Sequence, residues 1–493
     1  MDSIISSISN LVWSNIFIGL CLSVGLYFSI RTGFLQVTYV KEMLALLFKK
    51  KKGSEGISSF QAFALAISGR VGTGNIIGVA TAIFYGGPGA VFWMWAIAIL
   101  GSASAFVEAA LGQVYKQREG TEFRGGPAYY IEKGLGIKWY AILFAVVTII
   151  SAGLLLPGVQ ANAIASSVNN AFEVPVHYTG MVVVFLLVLI IFGGVKRLGT
   201  VAEFVVPFMA GSYVLLTLTI IGINFQHIPA VFGLIFSSAL SFDATFGGII
   251  GMAIAWGVKR GIYSNEAGQG TAPHVAAAAD VDHPAQQGLV QAFSVYVDTL
   301  FICTSTALMI IFSGMYNVTA VDDAGNPTEM IVENAPGLEY SGFTQAAVSH
   351  HFPGFGDAFI AIALFFFAFT TIMAYFYYAD TNVSYLVKNG RLKTIVQWVL
   401  KLAFLSAVYF GTVRTADTAW AIGDIGVGLM AWANLIALLL LSGVAMKVWK
   451  DYIKKRKQGI KSPAFNPKEL GIKNADFWED KNQDRKSPGN GGL

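Results

Sequence analysis

Ser68-Gly-Arg-Val-Gly-Thr-Gly-Asn-Ile-Ile-Gly78 decides how this chain folds. The stretch lies inside an apolar segment, 60–84, which at about 1.5 Å per residue is long enough to cross a hydrocarbon layer about 30 Å thick. The segment reads as a membrane helix, yet its middle carries Gly69, Gly72, Gly74 and Gly78, each costing about 1 kcal/mol of helix propensity relative to alanine. A break is expected there. Unpaired backbone at membrane depth is tolerated only where it is buried in protein or lines a cavity, so a cavity with a polar ligand follows.

The composition agrees. Of 493 residues 55% are hydrophobic and 13% charged, the mean hydropathy is +0.60, and globular domains carry about 25% charged residues. The chain is therefore an all-α polytopic membrane protein whose surroundings are the lipid bilayer. Its net charge of +4 comes from the flanks of apolar segments, which removes nucleic acid as a partner. Cys21 and Cys303 sit in apolar helices as small hydrophobes and support neither a disulfide nor a metal site. Asp2 with no basic residue before the first apolar run, and Arg31 and Lys41 after it, indicate an uncleaved first span.

Eleven candidate spans follow: 10–30, 60–84, 89–115, 139–164, 177–194, 201–223, 245–275, 288–313, 355–385, 394–412 and 418–446. With the N-terminus outside, the inner connections hold Lys49 to Lys52, then Lys116, Arg118 and Arg124, then Lys196 and Arg197, then Lys388, Arg391 and Lys393, then Lys447 onward. Two places depart from that rule: Arg414 falls outside, and the inner connection Asp280 to His283 is not basic. The outer stretch Met315 to His351 holds Asp322, Asp323, Glu329, Glu333 and Glu339 and reads as a solvated loop with short helices. From Tyr452 the charged tail reads as cytoplasmic and mostly disordered.

The span 245–275 repeats the anomaly of 60–84, because Trp256-Gly-Val-Lys-Arg-Gly-Ile-Tyr-Ser-Asn-Glu-Ala-Gly268 mixes charge and glycine inside an apolar run. Setting the first span aside, the two anomalous segments each open a group of five. That is the pattern of a five-plus-five inverted repeat, in which broken helices at corresponding positions mark the binding site. A weak echo, Gly194-Val-Lys-Arg197 against Gly411-Thr-Val-Arg414, is consistent with inversion and accounts for Arg414. The expected divisions are 1–56, an extra span with a basic loop; 57–225, the first repeat; 226–448, the second, with a long outer loop at 314–354; and 449–493, the tail.

Four stretches resemble the alanine or glycine:cation symporter family of prokaryotic amino-acid transporters: Gly72-Thr-Gly-Asn-Ile-Ile-Gly-Val-Ala-Thr81, Gly86-Gly-Pro-Gly-Ala-Val-Phe-Trp-Met-Trp95, Gly125-Gly-Pro-Ala-Tyr-Tyr130, and Trp256 through Pro273. The resemblance implies the leucine-transporter-like five-plus-five fold in a prokaryotic plasma membrane. It also implies sodium-coupled uptake of small neutral amino acids such as alanine or glycine by a monomer that is not an enzyme and needs no cofactor beyond the coupling ion. Proton-coupled or uncoupled carriage, and glutamine or serine as substrate, stay open.

A zwitterionic ligand needs both its charges paired. The break at Thr73 and Gly74 offers the amides of Gly74, Asn75 and Ile76 at the start of a half-helix, where free donors and the dipole favour a carboxylate. The second anomaly offers the complement if its first half ends near Trp256 and Gly257, with unpaired carbonyls turned to an ammonium and the indole as an apolar wall. By resemblance to the fold's ion sites, the carbonyls of Ser68 and Val71 would face the hydroxyls of Thr370 and Thr371 around sodium, with Asn75 as an oxygen donor to a second ion. Gln160 matches a family position facing the pocket. Arg70 is expected either to pair with Glu108, Glu266 or Asp298 or to stand permanently in a cation site, and Lys259 and Arg260 to serve an inner gate or lipid headgroups.

Other classes fit less well. The glycines of 69–78 match neither the phosphate-loop pattern nor the dinucleotide fingerprint. No filter-like repeat points to a channel. The histidines, His177, His227, His274, His283, His350 and His351, fall in or beside loops, away from any nucleophile at depth.

Overall fold

The computed structural model describes residues 2–49, 55–191, 194–240, 249–322, 327–388 and 390–486. Lys50, Lys51, Lys52, Asp323, the opening of the 245–275 segment and the tail from 487 onward lie outside them.

The first half of the chain runs through α1 (Asn15–Thr32), α2 (Ser59–Arg70), α3 (Val79–Gly86) and α4 (Gly89–Val114). It continues with α5 (Lys138–Ile150) and α6 (Leu156–Phe172), joined by a wide helical turn, then α7 (Val176–Ile191), α8 (Gly194–Ile223) and α9 (Ile228–Ala239). The second half holds α10 (Ile250–Asn265), α11 (Ala272–Ala278), then α12 (Pro284–Val295) and α13 (Thr304–Ser313) around the wide turn Tyr296–Cys303. After these come α14 (Phe343–His351), α15 (Gly356–Leu386), α16 (Gly390–Thr412), α17 (Ala416–Leu440), α18 (Ser442–Lys457) and α19 (Asp476–Lys486). Two short antiparallel hairpins complete it: β1 (Gln117–Glu119) with β2 (Glu122–Arg124), and β3 (Asn317–Val321) with β4 (Pro327–Glu333).

Among the described residues eight helices are long and apolar enough to cross a membrane, and α2 with α3 makes a ninth candidate bent by 56°. The other two expected spans fall short. The helix α7 has 16 residues, and the 245–275 segment is divided into α10 of 16 and α11 of 7 residues. The helix α9 was not anticipated.

Local chemistry explains the boundaries. A capping box opens α2, with Ser58 Oγ accepting from the Gln61 amide at 3.0 Å and Gln61 Oε1 from the Ser58 amide at 3.1 Å. Gly33, at φ 70°, closes α1. Glycine then sets how closely helices cross, because without a hydrophobic drive between helices small residues let backbones touch. A Cβ on Gly411 of α16 would run into the backbone of Gly158 in α6. The buried face of α4 lies against α1, α10 and α12 at the centre of the bundle.

Three expectations are corrected. The helix α10 runs through Trp256 and Gly257 without interruption and ends at Glu266, φ 55°, so the second break lies at 266–271. The glycines that suggested an earlier break serve packing: a Cβ on Gly257 would stand 2.5 Å from Ala90 O and 2.6 Å from Trp93 Cβ of α4. The stretch Met315 to His351 contains the β3–β4 hairpin as well as short helices.

The described part of the tail is folded, not disordered. Phe465, Phe477 and Trp478 are buried, and Trp478 Nε1 donates to Gln113 O at 2.8 Å. Lys116 Nζ lies 4.4 Å from the centres of both Phe123 and Phe477, and its burial, reinforced by Lys481, holds its ammonium well below the usual lysine range. The acidic residues of the connection Asp280 to His283 thereby find their partners. Asp282 pairs with Lys49 at 3.1 Å, and Asp280 with Lys481 of the tail at 2.8 Å.

Candidate functional site

The first break occupies Val71 to Thr73, between α2 and a wide helical turn, Gly74–Gly78, that leads into α3. Thr371 of α15 faces it. Its Oγ1 lies 2.8 Å from Ser68 O, 3.3 Å from Val71 O and 3.0 Å from Phe367 O in its own helix. A Cβ on Gly72 would come within 2.5 Å of that hydroxyl and 2.7 Å of Gln160 Oε1, so glycine is what lets α6 and α15 reach the unwound backbone. Gln160 Oε1 in turn accepts from the Thr73 amide at 3.0 Å. Of the residues expected around an ion, Ser68, Val71 and Thr371 are together and Thr370 is turned away, its hydroxyl donating to Phe367 O at 3.0 Å.

Asn75 is more committed than its sequence suggested. Its Oδ1 accepts from the Gly72 amide at 2.9 Å and its Nδ2 donates to Asp298 Oδ1 at 2.6 Å. Its own amide donates to Gly72 O at 3.2 Å, so it is not a free anion donor. Asp298, in the wide turn between α12 and α13, also accepts from Ser264 Oγ at 2.9 Å and Thr299 Oγ1 at 2.7 Å. The carboxylate thus ties the first break to the C-terminal end of α10. Gly74 packs there as well, where a Cβ would meet Ser264 Cα at 3.1 Å and Tyr263 Cδ1 at 3.2 Å.

The second break is organised by Glu108 of α4, which accepts from the amides of Gly268 at 3.3 Å and Gly270 at 3.1 Å and from Asn434 Nδ2 at 2.9 Å. Arg70 forms no ion pair among the described residues. It donates to Gln291 O at 3.2 Å and to the Ser294 hydroxyl, while its charge acts on Glu108, Glu266 and Asp298 together.

Trp256 stands apart from the break. Its ring stacks on Tyr85 at 4.3 Å and 11°, and Tyr340, from the segment after β4, lies 6.3 Å from Tyr85 and 5.5 Å from Phe84. Gly257 faces α4. One turn on, Arg260 makes a two-pronged ion pair with Asp424 of α17 at 2.8 and 3.0 Å, joined by Lys259 at 2.7 Å. Trp256 and Trp420 flank the Arg260 guanidinium at 5.0 and 4.8 Å. Lys259 and Arg260 are thus buried against Asp424 and do not reach a lipid headgroup. Asp424 was missed, although an acid inside an apolar segment is itself the signal.

A profile described as the sodium:alanine symporter family matches residues 1–467 of the chain. The "Putative sodium/proton-dependent alanine carrier protein YrbD" of Bacillus subtilis is 58% identical over 97% of this chain and 98% of its own length. The "Sodium/proton-dependent alanine carrier protein" of Bacillus sp. strain PS3 is 52% identical over 89% of this chain and 97% of its own. The "Probable sodium/glutamine symporter GlnT" of Bacillus subtilis is 42% identical over 94% of this chain and 93% of its own.

Proposed function

Because the chain belongs to the sodium:alanine symporter family, a family of transporters and not of enzymes, we propose that it imports small neutral amino acids, alanine first, by sodium-coupled alternating access. The observation that carries this reading is the meeting of Thr371 Oγ1 with the carbonyls of Ser68 and Val71 at a broken helix. Hard monovalent cations take neutral oxygens, and the hydroxyl has only to turn its proton away for three oxygens to face one ion. Thr370, one residue before, would join them only by changing its rotamer. Asn75 acts in this scheme by holding the break, through Gly72 and Asp298, more than as a ligand.

The substrate site lies beside the ion, at Thr73, Gly74 and Gln160, with Tyr263 as a wall. Trp256 and Gly257 shape it from a distance, the first through the aromatic closure with Tyr85, the second through packing on α4. Sodium entry fixes the break, substrate binds, the Tyr85–Trp256 stack and the Arg260–Asp424 pair stay shut, and the tail end opens. The two groups at 57–225 and 226–448 move as an inverted pair in a bacterial plasma membrane, with the N-terminus outside and the tail in the cytoplasm. Membrane potential supplies about 2.3 kcal/mol per charge per 100 mV to the cycle.

The test is uptake of radiolabelled alanine into proteoliposomes under an imposed sodium, potassium or pH gradient, with glycine, serine and glutamine as competitors. Accumulation that requires inward sodium and is lost in Thr371→Ala supports the reading. Equilibration without accumulation under every gradient overturns symport, and competition by glutamine over alanine moves the substrate toward that of the GlnT relative.

A further inference from the structure

Beside the first break, where Glu266 Oε2 and the Tyr378 hydroxyl come against Gly69, lies a second polar cluster that the sodium scheme does not use. Arg70, Glu108, Glu266 and Asp298 are at most 2% exposed, and one guanidinium faces three carboxylates. Such an excess of buried negative charge requires a bound cation or a proton. The three acids are not equivalent. Glu108 accepts from two backbone amides and a side-chain amide. Asp298 accepts from Asn75, Ser264 and Thr299. Both are solvated as anions by the protein. Glu266 accepts from the Thr271 hydroxyl at 2.8 Å on Oε2 and lies within reach of the Tyr378 hydroxyl, and its Oε1 has no partner.

The atoms around Glu266 are equally incomplete. Arg70 Nε and Nη2 and both polar atoms of Gln269 are buried without a partner, and the Tyr378 hydroxyl and Glu266 Oε2 converge on Gly69. Further along α15, Asn382 Oδ1 and Ser384 Oγ are also buried and unpartnered. Ser384 is six residues past Tyr378, about 9 Å along the helix. It lines an open cleft on the tail side with Arg124, Glu132, Tyr385 and Lys388. Buried polar atoms without partners thus occur both around Glu266 and on the part of α15 nearer the cleft.

Building on the symport reading, we infer that Glu266 is a proton-binding site, filled and emptied during transport through the α15 face and the cleft at Ser384. Arg70 is the positioning residue: it lies at the end of α2, next to the break, so a movement that closes sodium into Ser68 and Val71 also moves the guanidinium toward or away from Glu266. The groups facing Glu266 are Arg70 from α2, Glu108 from α4, Tyr263 from α10, Asp298 from the turn after α12, and Tyr375 and Tyr378 from α15. Among them Arg70 is the one cation. Its approach drives the proton off, and its withdrawal lets the proton return.

The experiment counts protons. Purified protein in weakly buffered detergent with a pH-sensitive dye receives sodium alone, then sodium with whichever small neutral amino acid the wild type accumulates. The wild type is expected to exchange about one proton per molecule, and Glu266→Gln none. In proteoliposomes Glu266→Gln loses the pH dependence of uptake that the wild type shows. Tyr378→Phe, which keeps the ring, shifts the midpoint of that dependence by about one pH unit and serves if the first variant does not fold. An unchanged proton count or pH profile in Glu266→Gln, or no proton exchange in the wild type, overturns the assignment. Failure of the wild type to accumulate any amino acid overturns the transport reading instead, and the proton count on sodium addition still decides Glu266.

Discussion

The two breaks are held by different physics. The first, at 71–73, is touched directly by neutral groups alone, Thr371 on its carbonyls, Gln160 on its amide and Asn75 folded back on Gly72, with the Asp298 carboxylate one bond removed behind Asn75. The second, at 266–271, is held by one buried anion, Glu108, which takes the amides of Gly268 and Gly270 while Asn434 bonds both Glu108 and Gly268 O. A neutral hydrogen bond contributes about 1 kcal/mol net, whereas one to a charged group contributes about 1.5–3 kcal/mol. The first break is built to exchange partners, and the second to stay put.

Removing the anchor is the harshest way to break that contrast. Glu108→Ala leaves two glycine amides and one of the two Asn434 amide hydrogens without an acceptor, at about 1–3 kcal/mol each, Asn434 keeping its bond to Gly268 O. We expect the variant to fail to accumulate as folded protein, read by fluorescence-detected size-exclusion chromatography, while Glu108→Gln recovers in part. A mild result for alanine would mean that the second break is as exchangeable as the first.

Thr371→Val tests the other side. It keeps the shape and deletes the hydroxyl, and we expect the apparent sodium affinity to fall about tenfold, worth about 1.4 kcal/mol, with stability little changed. Thr370→Val, whose hydroxyl is spent on Phe367 O, is expected to shift it less than about twofold. Equal effects of the two would place the ion elsewhere.

Gly257→Ala separates packing from ligand contact. Its Cβ would press on Ala90 O and Trp93 Cβ, so thermal stability should drop by about 1–3 kcal/mol with the substrate KM unchanged. A raised KM at unchanged stability would return Gly257 to the binding site.

The smallest expected effect lies at the tail. His283 faces Asp451 at 3.1 Å and packs on Phe465; burial, aided by Lys455 and Lys49, lowers its pKa although Asp451 opposes the shift. A histidine with a lowered folded pKa binds fewer protons docked than free, so docking weakens as pH falls from its free value of about 6.5. Protease cleavage of the tail should rise modestly over that window in the wild type and stay flat in His283→Gln.

Much of the first break was legible because its cause is local. Four glycines in an apolar run cannot hold a helix, and resemblance to the fold's ion sites pointed to the adjacent threonines of 370–371 as its partners. Which threonine faces the break was not legible, since that depends on the rotation of a 31-residue helix set by its neighbours. Gly257 misled for the same reason. A glycine that ends a helix and one that lets two helices touch are identical in sequence, and only the place of Ala90 and Trp93 distinguishes them. The folded tail was hidden by composition, for its few aromatics become a docking surface only when Lys116 and the α11–α12 connection supply the other half.

The amino-acid sequence by itself determined a polytopic helical chain, the location of one broken helix and the family, because hydropathy and glycine propensity act over a few residues at a time. The tertiary structure alone decided where the second helix breaks, which hydroxyl meets the unwound carbonyls, that Arg260 pairs with Asp424 and not with a lipid headgroup, and that Glu266 stands without enough donors. Those outcomes depend on which elements pack together, and burial assigns a cost to an unpaired atom only after that packing is complete.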